Sequence, residues 1–145
     1  MKTKMESPID VSIPTAGVKP DGTKFNIMIV DDSIFVVKQL TQILQSQGYE
    51  IIATAVDGQD ALEKYQMLHP KVDLVTMDIT MPRMDGLTAL EKIVAFDKEA
   101  RVVMISALGK EELVKQSLLT GAKNYIVKPL IREKVLDRIA NVLSK

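Results

Sequence analysis

The chain has 145 residues, the length of one domain, and is 46% hydrophobic and 26% charged, enough apolar material for a single continuous core. Its 19 basic and 19 acidic residues cancel, so no basic surface of the kind that holds nucleic acid is expected; the absence of cysteine excludes disulfides and thiolate metal sites, and one histidine cannot build a zinc site. No apolar run is long enough to span a bilayer, and no apolar stretch follows the N-terminal lysines as in a secretory signal, so a cytoplasmic protein is expected.

Residues 1–24 are interrupted by Pro8, Pro14, Gly17, Pro20 and Gly22, and no helical or strand period survives between them. A flexible N-terminal extension is expected there, with the regular domain running over 25–145. Residues 26–30 form an apolar strand. A helix over 33–47 follows, with Ile34, Val37, Leu40, Ile43 and Leu44 inward, Ser33 as its N-cap and Gly48 as its stop. Residues 50–55 read as a second strand. Asp57 and Gly58 open a second helix with Ala61, Leu62, Tyr65 and Leu68 on one face, ended by Pro70. Residues 72–77 are a third strand, stopping at Asp78. A breaker cluster with Pro82 and Gly86 leads into a helix over 86–96, with Asp85 as N-cap and Gly86 allowing close approach. A strand over 101–105, a helix over 110–120 stopped by Gly121, a strand over 124–127 and a helix over 131–143 complete the chain.

Five strands thus alternate with five helices. The strands are continuous apolar runs, as expected when both faces of a sheet are covered. The pattern predicts an α/β fold: a doubly wound five-stranded parallel sheet, (βα)5, with right-handed crossovers.

In a parallel sheet all C-terminal strand ends lie along one edge, where open α/β sheets place their chemistry. The first strand here ends in Asp31-Asp32, the third in Asp78, the fourth in Ser106 and the fifth in Lys128-Pro129. Three carboxylates, a hydroxyl and an ammonium are thereby gathered in one crevice. A lone aspartate at a strand end is more often a cap or turn residue. Independent turn residues, however, have no reason to fall at four strand ends with complementary chemistry. Clustered carboxylates repel, and burial raises their pKa unless something neutralises them. A hard cation such as Mg2+ does so with oxygen ligands, using one or two carboxylates, water and a phosphate. With that charge offset by the cation and Lys128, Asp78 can attack a phosphoryl group and form an aspartyl-phosphate.

The motifs Ile29-Val30-Asp31-Asp32-Ser33, Met77-Asp78-Ile79-Thr80-Met81-Pro82, Met84-Asp85-Gly86, Ser106-Ala107 and Lys128-Pro129 together make residues 25–145 similar to a response-regulator receiver domain, in particular the single-domain chemotaxis regulators. The resemblance implies a flavodoxin-like strand order, 2-1-3-4-5. It implies that Asp78 is the phosphoacceptor, and that Asp32, Asp78 and the backbone carbonyl of Thr80 bind magnesium, with Asp31 acting mainly through water. Lys128 would contact the phosphoryl group beside a cis Lys128-Pro129 bond. Ser106 would be the switch hydroxyl and Tyr125 the aromatic that swings inward with it, altering a surface with Lys110, Glu112 and Lys115. The chain departs from common patterns in carrying serine at 106, an apolar Leu108 and Leu130 after Lys-Pro. The implied partners are a histidine kinase of the CheA type, the flagellar motor switch protein and a dedicated phosphatase. With the chain ending after its fifth helix, output through protein contact is expected, with no catalysis beyond its own phosphoryl transfer and dephosphorylation. A stand-alone phosphorelay intermediate would have the same architecture. A haloacid-dehalogenase-type phosphatase would want Asp-x-Asp after the first strand, and a flavodoxin-like FMN carrier would want a Ser/Thr/Gly-rich loop there; adjacent Asp31-Asp32 suits neither.

Overall fold

The structure, a computed structural model, describes residues 16–145. The elements are β1 (Asn26–Val30), α1 (Ile34–Gln45), β2 (Glu50–Ala55), α2 (Gly58–Leu68), β3 (Leu74–Met77), α3 (Gly86–Phe96), β4 (Val102–Ser106), α4 (Glu111–Thr120), β5 (Asn124–Val127) and α5 (Arg132–Leu143). All strands are parallel, in the order β2-β1-β3-β4-β5. The chain runs outward from β1 to β2 and then crosses back to β3. Strands β1 and β3 are therefore neighbours from which the connections leave in opposite directions, and the crevice of such a sheet opens at their carboxyl ends.

Alternation along each strand divides the core in two. Met28, Val30, Val75, Met77, Val102 and Met104 face α2, α3 and α4. Ile27, Ile29, Leu74, Val103, Ile105 and Ile126 face α1 and α5. The edge strand β2 is less covered than a continuous apolar run implies, with Glu50 and Thr54 exposed. Ile34, expected inward, is 64% exposed. It is the first residue of α1, and the next residue, Phe35, is also exposed, so the buried face of the helix begins further along, at Leu40.

Local chemistry accounts for the helix ends. Ser33, Asp57 and Asp85 each cap a helix by accepting a backbone N–H three residues on. Gly48 has a φ of 87°, which closes α1 in a conformation that a side chain disfavours. Strand β3 begins at Leu74, because Asp73 turns its side chain back to accept the Asn26 N–H at 2.7 Å. Strand β4 extends one residue further than expected, so that Ser106 is its last residue and pairs with Val127.

Residues 16–24 differ from the expected flexible extension. Gly17 N–H donates to Gln47 O at 2.8 Å, and Gly17 O accepts from Phe25 N–H at 2.8 Å. Val18 and Lys24 form an antiparallel bridge. A Cβ on Gly17 would lie 2.2 Å from Tyr49 N, so the absence of a side chain is what lets this turn dock. Lys19 adds a contact with Asp73 at 3.5 Å and lies over the Phe25 ring. The rest of the expected extension, residues 1–15, lies outside the described residues.

One glycine ties α3 to the crevice. A Cβ on Gly86 would stand 1.8 Å from the carbonyl oxygen of Asp78, and the Gly86 N–H donates to Ile79 O at 2.7 Å. Any side chain must push the start of α3 away from the end of β3. Gly86→Ala should therefore destabilise the fold by roughly 2 kcal/mol, read as a lower urea midpoint at unchanged slope. Wild-type stability in this variant would mean that the α3 terminus gives way without cost.

Candidate functional site

The sheet register brings the acids together. Val30 pairs with Met77, and Met77 with Met104. Asp31 and Asp78 therefore each stand one residue past the same rung, on adjacent strands. Their backbones stay in the ladder: Asp31 N–H donates to Ala55 O and Asp78 N–H to Val30 O, both at 3.0 Å. Asp31 and Asp78 are buried, whereas Asp32 is exposed in the turn after β1. Carboxylate oxygens from Asp31, Asp32 and Asp78 lie within 4.8 Å of one another.

Lys128 is the cation that answers them. It follows β5, where its N–H donates to Ser106 O at 2.8 Å. Its Nζ donates to Asp31 Oδ2 at 2.9 Å and stands 3.6 Å from Asp78 Oδ2. The Lys128-Pro129 bond is cis. Asp31 Oδ1 accepts the Ser33 N–H at 2.9 Å, and Asp78 Oδ1 accepts the Ile79 N–H at 2.8 Å. Each buried carboxylate thus has one oxygen on the backbone and the other turned toward Lys128.

One ammonium against three carboxylates leaves excess negative charge. Burial pushes the Asp78 carboxyl above its ordinary value, and the Asp31 charge pushes it further; Lys128 and the Ile79 N–H oppose this, and Asp32 adds a smaller rise.

Ser106 and Tyr125 lie to one side. The Ser106 hydroxyl is buried and accepts the Leu108 N–H at 3.1 Å. Tyr125 is also buried, and its hydroxyl donates to the Leu108 carbonyl. Of the two positions open to its ring, Tyr125 takes the packed one here, while Lys110, Glu112 and Lys115 are exposed. Burial raises the Tyr125 hydroxyl pKa, the Ser106 hydroxyl opposes that rise, and the Asp78 charge adds to it. Ser106, Leu108 and Tyr125 therefore form one hydrogen-bonded group beside the acids. Thr80 lies exposed in the loop two residues past Asp78.

Asp57 was expected only to start a helix, and it does cap α2 through the Asp60 N–H at 2.8 Å. It is also fully buried and paired with Arg83, a contact across 26 positions that no local pattern signals.

The chain belongs to the response regulator receiver domain family, whose sequence profile matches residues 27–140. It is of the CheY type, a receiver-domain response regulator of chemotaxis signalling. It is 65% identical over 145 residues to the chemotaxis protein CheY of Treponema pallidum, covering 99% of this chain and 100% of that one. It is 46% identical over 118 residues to CheY of Bacillus subtilis, covering 81% of this chain and 97% of that one. Among solved structures it resembles the CheX-CheY-BeF3-Mg2+ complex from Borrelia burgdorferi, with a TM-score of 0.87 and 59% identity over 89% of this chain and 97% of that one. The 2-1-3-4-5 strand order is the one CheY itself exemplifies. Among the described residues, no helix is long and apolar enough to cross a membrane.

The raised Asp78 pKa has a consequence for stability. A carboxyl that holds its proton to higher pH in the folded than in the unfolded chain favours the fold at low pH, and that contribution is lost as pH rises through the folded value. At neutral pH the ionised Asp78 therefore weakens the fold. Without divalent cations, Asp78→Asn should raise Tm by about 3 °C, roughly 1 kcal/mol, at about pH 8, and by much less at about pH 4. A lower Tm for Asp78→Asn at the higher pH would contradict the charge imbalance.

Proposed function

We propose that this protein is a phosphorylation-controlled switch with Asp78 as the phosphoacceptor. The observation that carries this reading is the buried, partly neutralised carboxylate of Asp78, with Lys128 3.6 Å away and two further aspartates beside it. The donor set fits Mg2+: oxygen ligands only, and more negative charge than one lysine offsets. Asp31, Asp32 and Asp78, with the Thr80 carbonyl, would hold that ion. When bound, it supplies positive charge to the phosphoryl oxygens during transfer.

The chain's own residues do the rest. An Asp78 oxygen forms a new bond to phosphorus as the bond to the donor's leaving group breaks, and the leaving group departs with the electron pair. The other Asp78 oxygen stays oriented by the Ile79 N–H. Lys128, already between Asp31 and Asp78, pairs with the incoming phosphoryl oxygens. The new group brings about two negative charges and three acceptors into the crevice. Ser106 can leave the Leu108 N–H to donate to it, and that exchange disturbs the Leu108 carbonyl on which Tyr125 rests. A local charge change thereby biases a two-state element, and a partner that prefers one state reads it.

The donor in this reading is a histidine kinase of the CheA type, and the output partner is the flagellar motor switch protein, in the cytoplasm. The B. burgdorferi CheY relative is seen with CheX, and a protein of that kind is our candidate for a dedicated phosphatase here. Incubation with acetyl phosphate and Mg2+ should add one phosphoryl group, seen by intact mass, and Asp78→Asn should take none. Full labelling of Asp78→Asn would remove Asp78 from the role.

A further inference from the structure

The buried Asp57 and the strained loop after Asp78 belong together. Asp57 Oδ1 caps α2, while Oδ2 receives the Arg83 guanidinium, whose side chain is 68% exposed. Arg83 has a φ of 63°, and among the described residues it is the one non-glycine with positive φ. An L-residue with a side chain is disfavoured there and stays only where its surroundings impose it. Asp57 supplies that imposition. A carboxylate withdrawn from water needs a charged partner, and Arg83 is the cation that reaches it.

The same loop is tied to α2 a second time. Gly58 N–H donates to Met84 O at 2.8 Å, and a Cβ on Gly58 would lie 2.6 Å from that oxygen. Met84 N–H then donates to Pro82 O, and Gly86 N–H to Ile79 O, each at 2.7 Å. Thr80 sits between these ties. Neither side chain of the pair hydrogen-bonds or ion-pairs with Asp31, Asp32, Asp78 or Lys128.

We propose that the Asp57–Arg83 ion pair is a positioning latch. It holds the 79–85 loop so that the Thr80 carbonyl and the Asp78 carboxylate face the crevice in register for the cation and the phosphoryl group. The proposal rests on the reading of Asp78 as phosphoacceptor. Arg83 is a positioning residue: it touches no reacting atom and acts through the loop.

Arg83→Gly separates strain from pairing. It removes the guanidinium and also relieves the backbone, so the fold itself is not put at risk. Asp57→Asn keeps a helix cap and removes the charge. Each variant should label with acetyl phosphate roughly tenfold more slowly than wild type, with a higher Mg2+ requirement and a smaller Mg2+-induced rise in Tm. The double variant should lose no more than either single one, and Arg83→Lys should recover part of the rate. Wild-type rates and Mg2+ responses in both single variants, or losses that multiply in the double variant, would overturn the latch while leaving the phosphoacceptor reading intact. A wild type that takes no label overturns the phosphoacceptor reading, and the latch with it.

Discussion

Everything at the crevice follows from the repulsion among Asp31, Asp32 and Asp78. Two of these carboxylates are buried, all three approach within 4.8 Å, and one ammonium stands against them. Such a cluster is unfavourable by itself, because burial and like charge both oppose ionisation. It persists because the rest of the molecule over-determines it. Asp31 and Asp78 are held by ladder hydrogen bonds of β1 and β3, strands fixed by cores on both faces. The site therefore stores an electrostatic imbalance that a cation or a proton can relieve and that a phosphoryl group would deepen. Sensitivity of this kind is what a chemically driven switch needs.

The scaffold around the acids is tight where it must be. Gly86 brings the start of α3 against the Asp78 carbonyl, and Gly58 brings α2 against Met84. These two close approaches clamp the loop between β3 and α3 from both ends. On the other side, Ser106, Leu108 and Tyr125 are linked by hydrogen bonds that a new acceptor at Asp78 would compete for. The crevice thus lies between a clamped loop and a rearrangeable one. A phosphoryl group would then act mainly toward β4 and β5, the side on which the serine and tyrosine lie.

The fold was legible in the sequence because four of the five strands are apolar runs that stop at a polar residue, and three of the five helices carry a side-chain cap at Ser33, Asp57 or Asp85. Asp78, Ser106 and Lys128 could be placed at one edge from that punctuation alone, since a parallel sheet aligns its strand ends. Features made by non-local contact were not legible. Gly17 and its neighbours look like a flexible segment, yet the missing Cβ at Gly17 lets them dock on Tyr49. Asp57 is fully explained by the local cap it makes, which hides its pairing with Arg83. Tyr125 suits either a packed or an exposed position by its chemistry, and its hydroxyl's bond to the Leu108 carbonyl decides for the packed one. Ile34 fits the apolar period of α1, yet it is exposed at the helix's first position, which the period alone does not reveal.

The central claim is that Asp78 sits in excess negative charge which a divalent cation relieves. Carbon-13 NMR titration of the aspartate side chains measures this directly, with Asp78→Asn assigning the resonance. Without metal, Asp78 should titrate above the ordinary aspartate value. Saturating Mg2+ should move that titration to lower pH. An Asp78 that titrates as an ordinary aspartate without metal, or whose titration ignores Mg2+, would contradict the account.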